Sequence, residues 1–355
     1  MATIKDVARE AGVSVATVSR VFNDSALVSV DTQKVVREVA QRLNYWPNAV
    51  ARSLITNRTH TLGVLLPDLH GEFFSGVIRG IDRAARAEGF HLLVSSSHAD
   101  TEELIAALRS MRGRIDGLVV MAPDVEAPQA IRATAGNMPI VLIDAGGDSA
   151  YDGISIANFD GAFAATRHLM HLGHRRIATV TGPARNLDAL QRLGGFRAAL
   201  ADGGIARDPR LEIQGDFTEP SGFEAARHLL ALEPRPTGVF VGNDHMAVGV
   251  LTGLVSSGVR VPEDVAMVGF DDIEMARYLT PPLTTVRVDT FQLGERAVRC
   301  LLGRALGRAD GHARRELMPT TLVVRRSCGS TRPGPIEVAP ARRTAETRDG
   351  EREWI

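Results

Sequence analysis

Apolar positions in the first sixty residues recur at helical spacing. Ile4, Val7, Ala8 and Ala11 share one face, and Thr3 stands where an N-cap belongs. Gly12 breaks the pattern. Ser14 then caps a second helix expected from Val15 to about Phe22, and Asn23-Asp24-Ser25 reads as a loop. A third helix is expected from about Asp31 to Leu43, with Val35, Val36, Val39, Ala40 and Leu43 on its buried side. Pro47 stops that pattern, and Asn48 to Thr56 leaves room for one more helix of two turns.

From residue 61 the period changes. Short runs rich in Val, Ile and Leu alternate with amphipathic stretches such as Phe74 to Glu88 and Phe223 to Leu232. The runs are TLGVLLPD (61–68), FHLLVSS (90–96), GLVVMAP (117–123), PIVLID (139–144), GISIA (153–157), RIATVTG (176–182), LEIQGDF (211–217), TGVFVGND (237–244), VAMVGFDD (265–272) and TTVRVD (284–289). Apolar strands separated by helices indicate parallel sheets covered on both faces. Ten strands suit two α/β lobes with a cleft between them better than one sheet. Residues 329–355, rich in Pro, Gly, Arg and Glu, read as a disordered tail without a leucine heptad.

The fold expected is therefore an N-terminal all-α helix-turn-helix domain at 1–47 and a linker at 48–60. An α/β two-lobed domain with parallel sheets follows at 61–328. Lobe one takes about 61–157 and 287–328, and lobe two about 158–286.

Composition narrows the class. Hydrophobic residues make up 44% and charged ones 23% of the 355, as in soluble globular proteins. No apolar run approaches the roughly 20 residues that span a bilayer, and the charged start MATIKDVAREAG carries no signal-peptide core. A cytoplasmic protein without a membrane partner is expected. Cys300 and Cys328 have neither disulfide-framework nor zinc spacing. His168, His171 and His174 are taken as structural, because Gly173 ends their helix. Neither a metal nor a cofactor is expected. The net charge of -1 hides a basic head. Residues 1–60 carry Lys5, Arg9, Arg20, Lys34, Arg37, Arg42, Arg52 and Arg58 against Asp6, Glu10, Asp24, Asp31 and Glu38, a net of three positive charges that suits phosphate contact.

A helix, a tight turn at Gly12 and a second helix form a helix-turn-helix pattern. The second helix enters the major groove with its early residues on base edges. Val15 and Ala16 suit a thymine methyl, Thr17 and Ser19 suit phosphate or base contacts, and Val18 packs the core. Arg20 suits a bidentate contact to guanine, a pairing that discriminates by about 1–3 kcal/mol.

IKDVAREAGVSVATVSRVFN (4–23) and NAVARSL (48–54) resemble the lactose/galactose/purine repressor family. The likeness continues through LGVLLPD, IDGLVVM, LGHRRIA, GDF, VGFDD and LTTV, and covers about residues 2–330. The resemblance implies a homodimer on palindromic, double-stranded operator DNA. It also implies a helix at 48–56 that folds on DNA, with Leu54 wedged into the minor groove to bend the duplex. Ser14, Val15, Ala16, Thr17, Ser19, Arg20, Asn23, Asn48, Arg52 and Leu54 are the candidate DNA contacts. The body resembles periplasmic sugar-binding proteins, whose ligands bind beyond the carboxyl ends of parallel strands. Asp68, Asp144, Asp244 and Asp271 stand at such ends. Arg192 and Asp271 match the family's ligand-binding arginine and aspartate. Phe73, Phe74 and Phe217 suit aromatic walls, and Asn243 and Asp244 complete the candidate effector contacts. Asp272 reads as a turn residue or cap. Two departures, Ala145 and Ala157, argue against a purine ligand.

The expected function is thus a repressor, with carbohydrate-use genes as its targets and release from the operator by a sugar-like effector. A corepressor-dependent regulator of another metabolite class remains an alternative. A sugar-binding transport protein would explain the body but not the head. G-x-S-x-G, the phosphate loop, H-E-x-x-H and G-x-G-x-x-G are all absent, which argues against an enzyme.

Overall fold

The computed structural model describes residues 2–23, 27–46, 58–144, 151–305 and 313–341. The chain divides into two compact units, Met1–Thr61 with Gly113–Asp116 and Leu62–Arg112 with Gly117–Ile355.

The first unit holds α1 (Ile4–Glu10), α2 (Val15–Asn23) and α3 (Val30–Arg42). The Thr3 amide and hydroxyl donate to Asp6 Oδ2 at 3.0 and 2.7 Å, which closes the first turn of α1. Gly12 reverses the chain at φ 67°, where a side chain would be strained. The Thr17 amide donates to Ser14 Oγ at 3.0 Å, so Ser14 starts α2 as expected. Val7, Ala8, Val18, Val21, Val36, Val39 and Ala40 form the core. Val35, expected inside, is 45% exposed. The buried stripe of α3 runs through 36, 39, 40 and 43, and Val35 lies to one side of it.

The second unit contains two sheets. Sheet one has the order β11-β5-β4-β3-β1-β2. Its strands are β1 (Thr61–Leu66), β2 (His91–Ser96), β3 (Gly117–Met121), β4 (Ile140–Ile143), β5 (Asp152–Ile156) and β11 (Arg315–Met318). Sheet two has the order β13-β12-β10-β9-β8-β6-β7. It comprises β6 (Ile177–Thr181), β7 (Glu212–Gln214), β8 (Gly238–Val241), β9 (Ala266–Asp271), β10 (Thr284–Arg287), β12 (Thr321–Val324) and β13 (Gly334–Glu337). Lobe one carries α4 (Glu72–Ala87), α5 (Thr101–Met111), α6 (Ala127–Ala135) and α11 (Thr290–Ala305). Lobe two carries α7 (Asn158–His171), α8 (Leu187–Asp202), α9 (Glu219–Ala231) and α10 (Asp244–Ser256).

The apolar runs account for β1 to β10. They do not account for β11 to β13, four residues each, of which β11 is partly charged and β13 carries a proline. Two expectations are corrected here. First, the chain returns to lobe two after β11, so residues 321–328 belong to sheet two and not to lobe one. Second, β13 lies inside the stretch expected to be a disordered tail. It pairs antiparallel with β12, Val323 opposite Pro335, because a proline is tolerated on an edge strand. The sheets are parallel as expected, with antiparallel pairs only at one edge of sheet two, β10/β12 and β12/β13, a common edge arrangement. The chain crosses between lobes at Ala157, at 288–289 and at 319–320. The first and third crossings are tied by the Ala157 amide donating to the Met318 carbonyl at 2.9 Å.

Helix pairs within each lobe pack backbone against backbone. A Cβ on Gly80 of α4 would sit 2.0 Å from the Phe291 carbonyl oxygen, and one on Gly249 of α10 2.0 Å from that of Glu219. Both distances are far inside van der Waals contact. Gly80→Ala must push α4 and α11 apart. It is expected to destabilise the second unit by about 1–3 kcal/mol, seen as an earlier urea midpoint by tryptophan-independent circular dichroism. An unchanged midpoint would show that the helices separate freely.

Candidate functional site

A cleft of about 460 Å³ opens between the two lobes. It is lined by segments that leave the carboxyl ends of the strands: Pro67 and Asp68 after β1, Pro123 after β3, Pro183 after β6, Phe217 after β7, Asn243 after β8, and Asp271 at the end of β9. Such ends are where α/β sheets take ligands. His98, Ala99, Phe217 and Asp271 on this lining have positive φ without being glycine, four of the eight such residues described. Strained backbone of this kind gathers at functional sites.

Arg192 lies at the centre, 5% exposed. Asn186 caps α8 by accepting the Ala189 amide at 3.0 Å, and one turn later α8 carries Arg192 toward the cleft. Arg192 Nε donates to Asn158 Oδ1 at 2.9 Å and Nη1 to the Gly242 carbonyl at 2.6 Å. Nη2 stands 3.3 Å from Asp271 Oδ1. Its Cζ sits 3.8 Å above the Phe270 ring and 5.9 Å from that of Phe217, a cation–π arrangement strengthened by burial. Asn158 Nδ2 donates in turn to Asp188 Oδ1 at 3.0 Å. One guanidinium therefore serves several buried carboxyls. Burial pushes Asp271 up to about 6, against the pull of Arg192. Burial also raises Asp188 to about 6, with repulsion from Asp271 adding to it. Asp144 is driven well above the carboxylate range by burial and by Asp188.

The structure brings most of the expected effector residues together. Phe73, Phe74, Arg192, Phe217, Asn243 and Asp271 all line the cleft. Phe73 and Phe74 meet edge to face with centroids 5.5 Å apart. Asn243 accepts the Met246 amide at 2.9 Å and donates to the Phe217 carbonyl at 3.0 Å, so it caps α10 and holds the Phe217 loop. Asp244 is the exception and is corrected. It is fully buried, accepts the Thr285 hydroxyl at 2.6 Å and the Ile273 amide at 3.0 Å, and so knits β9, β10 and α10. Asp68 stays on the lining and Asp144 is buried behind it. Asp272 is held by Arg287 and Arg325 at 2.6 and 2.5 Å, a turn residue after all. His168 Nε2 meets Cys328 Sγ at 3.3 Å and His174 Nδ1 meets Thr237 Oγ1 at 3.0 Å, so these histidines do not converge. Asp188, Asn158, His245, His98 and Asp216 were not anticipated. For Asp188 a signal existed: it stands four residues before Arg192 on one helix face.

On the first unit, Val15 is 42% exposed and Val18 wholly buried. Ser14, Ala16 and Arg20 are exposed, while Thr17 and Ser19 are half-buried. α2 thus offers apolar and hydroxyl groups at its start and the Arg20 guanidinium in its last turn. Asn23 closes α2. Asn48, Arg52, Leu54 and Ala145 lie outside the described residues.

The raised carboxyls make the second unit's stability depend on pH. A group whose folded pKa lies above its unfolded value stabilises fully below the unfolded pKa, here 3.8, and loses that contribution as pH rises through about 6. Asp188→Asn keeps an acceptor for Asn158 but cannot ionise. It is expected to melt higher than the parent at pH 7.5, with the difference shrinking toward pH 4.5. A difference constant across that range in calorimetric scans would contradict the assignment.

Residues 3–48 match bacterial regulatory proteins of the lacI family, and residues 166–328 match the periplasmic binding protein-like domain. The ribose operon repressor of Escherichia coli (strain K12) is 40% identical over 307 residues, covering 86% of this chain and 93% of that protein. The HTH-type transcriptional repressor PurR of Erwinia tasmaniensis is 38% identical over 334 residues, covering 92% and 97%. The lac repressor dimer bound to operator and the anti-inducer ONPF superposes with a TM-score of 0.85 at 33% identity, covering 92% and 99%. With a DNA-reading three-helix unit ahead of a two-lobed ligand-binding fold, and likeness running through both, the chain belongs to the lacI family of bacterial regulatory proteins.

Proposed function

We propose that this protein represses carbohydrate-use genes as a cytoplasmic homodimer on a palindromic operator, and that a small sugar-like effector in the inter-lobe cleft releases it. The observation that carries the effector half is the Arg192 network. It holds donors and acceptors at the strand ends, beside the Phe73, Phe74 and Phe217 rings. Sugars need this combination: polar groups for their hydroxyls and apolar faces for their C–H surfaces. The name of the ribose operon repressor makes a pentose the first probe. The protein acts by binding and not by catalysis. Arg192, Asp271, Asn243 and the three phenylalanines are its effector contacts.

The DNA half rests on the exposed Ser14, Val15, Ala16 and Arg20 beside the half-buried Thr17 and Ser19, with Asn23, Asn48, Arg52 and Leu54 following in the chain. The effector switches DNA affinity only by binding the two lobe arrangements unequally.

Three measurements test the proposal. Fluorescence anisotropy with a palindromic duplex is expected to show tight binding that weakens steeply with salt; a transport protein would show none. Arg20→Ala should lose about 1–3 kcal/mol, concentrated at one guanine position. Leu54→Ala should weaken and straighten the complex without altering the melting of the second unit; normal affinity and bending would remove the wedge role.

A further inference from the structure

Lobe two holds a second cavity, of about 200 Å³, at the other end of its strands. It lies beside the amino end of β6 and the start of β7, whereas the cleft lies beyond their carboxyl ends. No residue lines both. We propose that this cavity binds a small organic acid: an apolar ring or short chain that carries one carboxylate.

The floor is apolar. Phe196 and Leu200 stand four residues apart on one face of α8. They meet Ile177 of β6 and Leu211, all four buried, and the half-buried Ile205 of the loop that follows the helix. An apolar hollow leaves the atoms that line it short of contacts, and an apolar body that enters it restores them. At about 200 Å³ the cavity is smaller than the roughly 300–1,000 Å³ of drug-sized sites. That limits the occupant to one ring or a short chain.

The rim is cationic. Arg175, Arg176 and Arg207 line it with Asp208 and Glu212. Both carboxylates are already engaged. Asp208 accepts from Arg210 Nε and Nη2 at 3.0 and 2.9 Å, and from Arg176 Nη1 at 3.3 Å. Glu212 accepts from both Arg197, at 3.0 and 2.7 Å, and Arg207, at 2.7 and 2.8 Å. Five guanidiniums thus share two carboxylates, which leaves the cluster three positive charges in excess.

Two of these arginines have capacity to spare. Arg175 is exposed and donates to a neutral acceptor, the Met170 carbonyl, at 3.3 Å; among the described residues it meets no carboxylate. Arg176 donates through Nε to the Pro234 carbonyl at 2.7 Å, while its Nη2 is buried with no hydrogen-bond partner. An unmet buried donor is costly. A carboxylate held at this rim supplies the acceptor and charge that the chain itself does not, and guanidinium pairs well with it. A neutral apolar molecule would fill the floor and leave the rim unanswered.

The test is isothermal titration of the full chain with benzoate, phenylacetate and hexanoate at fixed ionic strength, with benzamide as the uncharged match to benzoate. At least one acid is expected to bind at one site per chain, and benzoate to bind about tenfold tighter than benzamide. Arg175→Gln removes an exposed charge without touching the core, and should weaken the acid about fivefold. Ile205→Phe fills the floor and should abolish saturable binding, with the melting temperature confirming that the variant is folded. The inference is overturned if none of the three acids binds, if benzamide binds within twofold of benzoate, or if acid binding is the same in Arg175→Gln as in the parent, since the acid then sits elsewhere.

Discussion

The second unit is organised around one buried positive charge. A guanidinium removed from water is costly unless it is paired and hydrogen-bonded, and Arg192 achieves this by drawing groups from separate elements. Asn158 opens α7, Gly242 follows β8, and Asp271 ends β9. Phe270 lies beneath it. Removing the charge would leave several carboxyls facing one another; keeping it fixes where the strand ends must stand. The aromatic walls and the cleft's shape follow from that placement.

This arrangement also explains how one site can be stable and still responsive. The network is complete on the protein side for Arg192; Asp271 Oδ1 has only the 3.3 Å ion pair with it, and Asp144 Oδ2 has no hydrogen-bond partner. A ligand shifts the lobes only if it gains more in one arrangement than in another. That difference is what a switch requires. Lobe-to-lobe contacts already exist: Glu72 accepts the Glu274 amide at 2.5 Å, and Arg185 reaches Asp124 and Glu126 at 3.2 and 2.9 Å. Effector binding therefore acts on an arrangement with polar contacts of its own.

Much of this was legible in the chain, and the parts that were not share a cause. Long, strongly periodic segments such as α3 and apolar runs such as VAMVGFDD declare themselves, and so do strand-end residues like Asp271. Asp244 misled because sitting at a strand end does not reveal whether a carboxylate turns to the cleft or back into the lobe; Thr285 and Ile273, distant in sequence, decide that. Asn158 escaped because its role exists only once α7 and α8 are packed together. β13 escaped because its composition is that of a solvated tail, and only the bare edge of β12 gives it a partner. Local pattern carries elements well and tertiary pairing poorly.

Three chain crossings join the lobes, and two of them are laced by the Ala157–Met318 hydrogen bond. A single tether would let one lobe swivel in any direction. Three constrain twisting between the lobes more than one would. Within each lobe the glycine-to-backbone contacts keep the helix pairs from giving way. Close helix packing and multiple crossings thus leave little slack between the cleft and the rest of the unit.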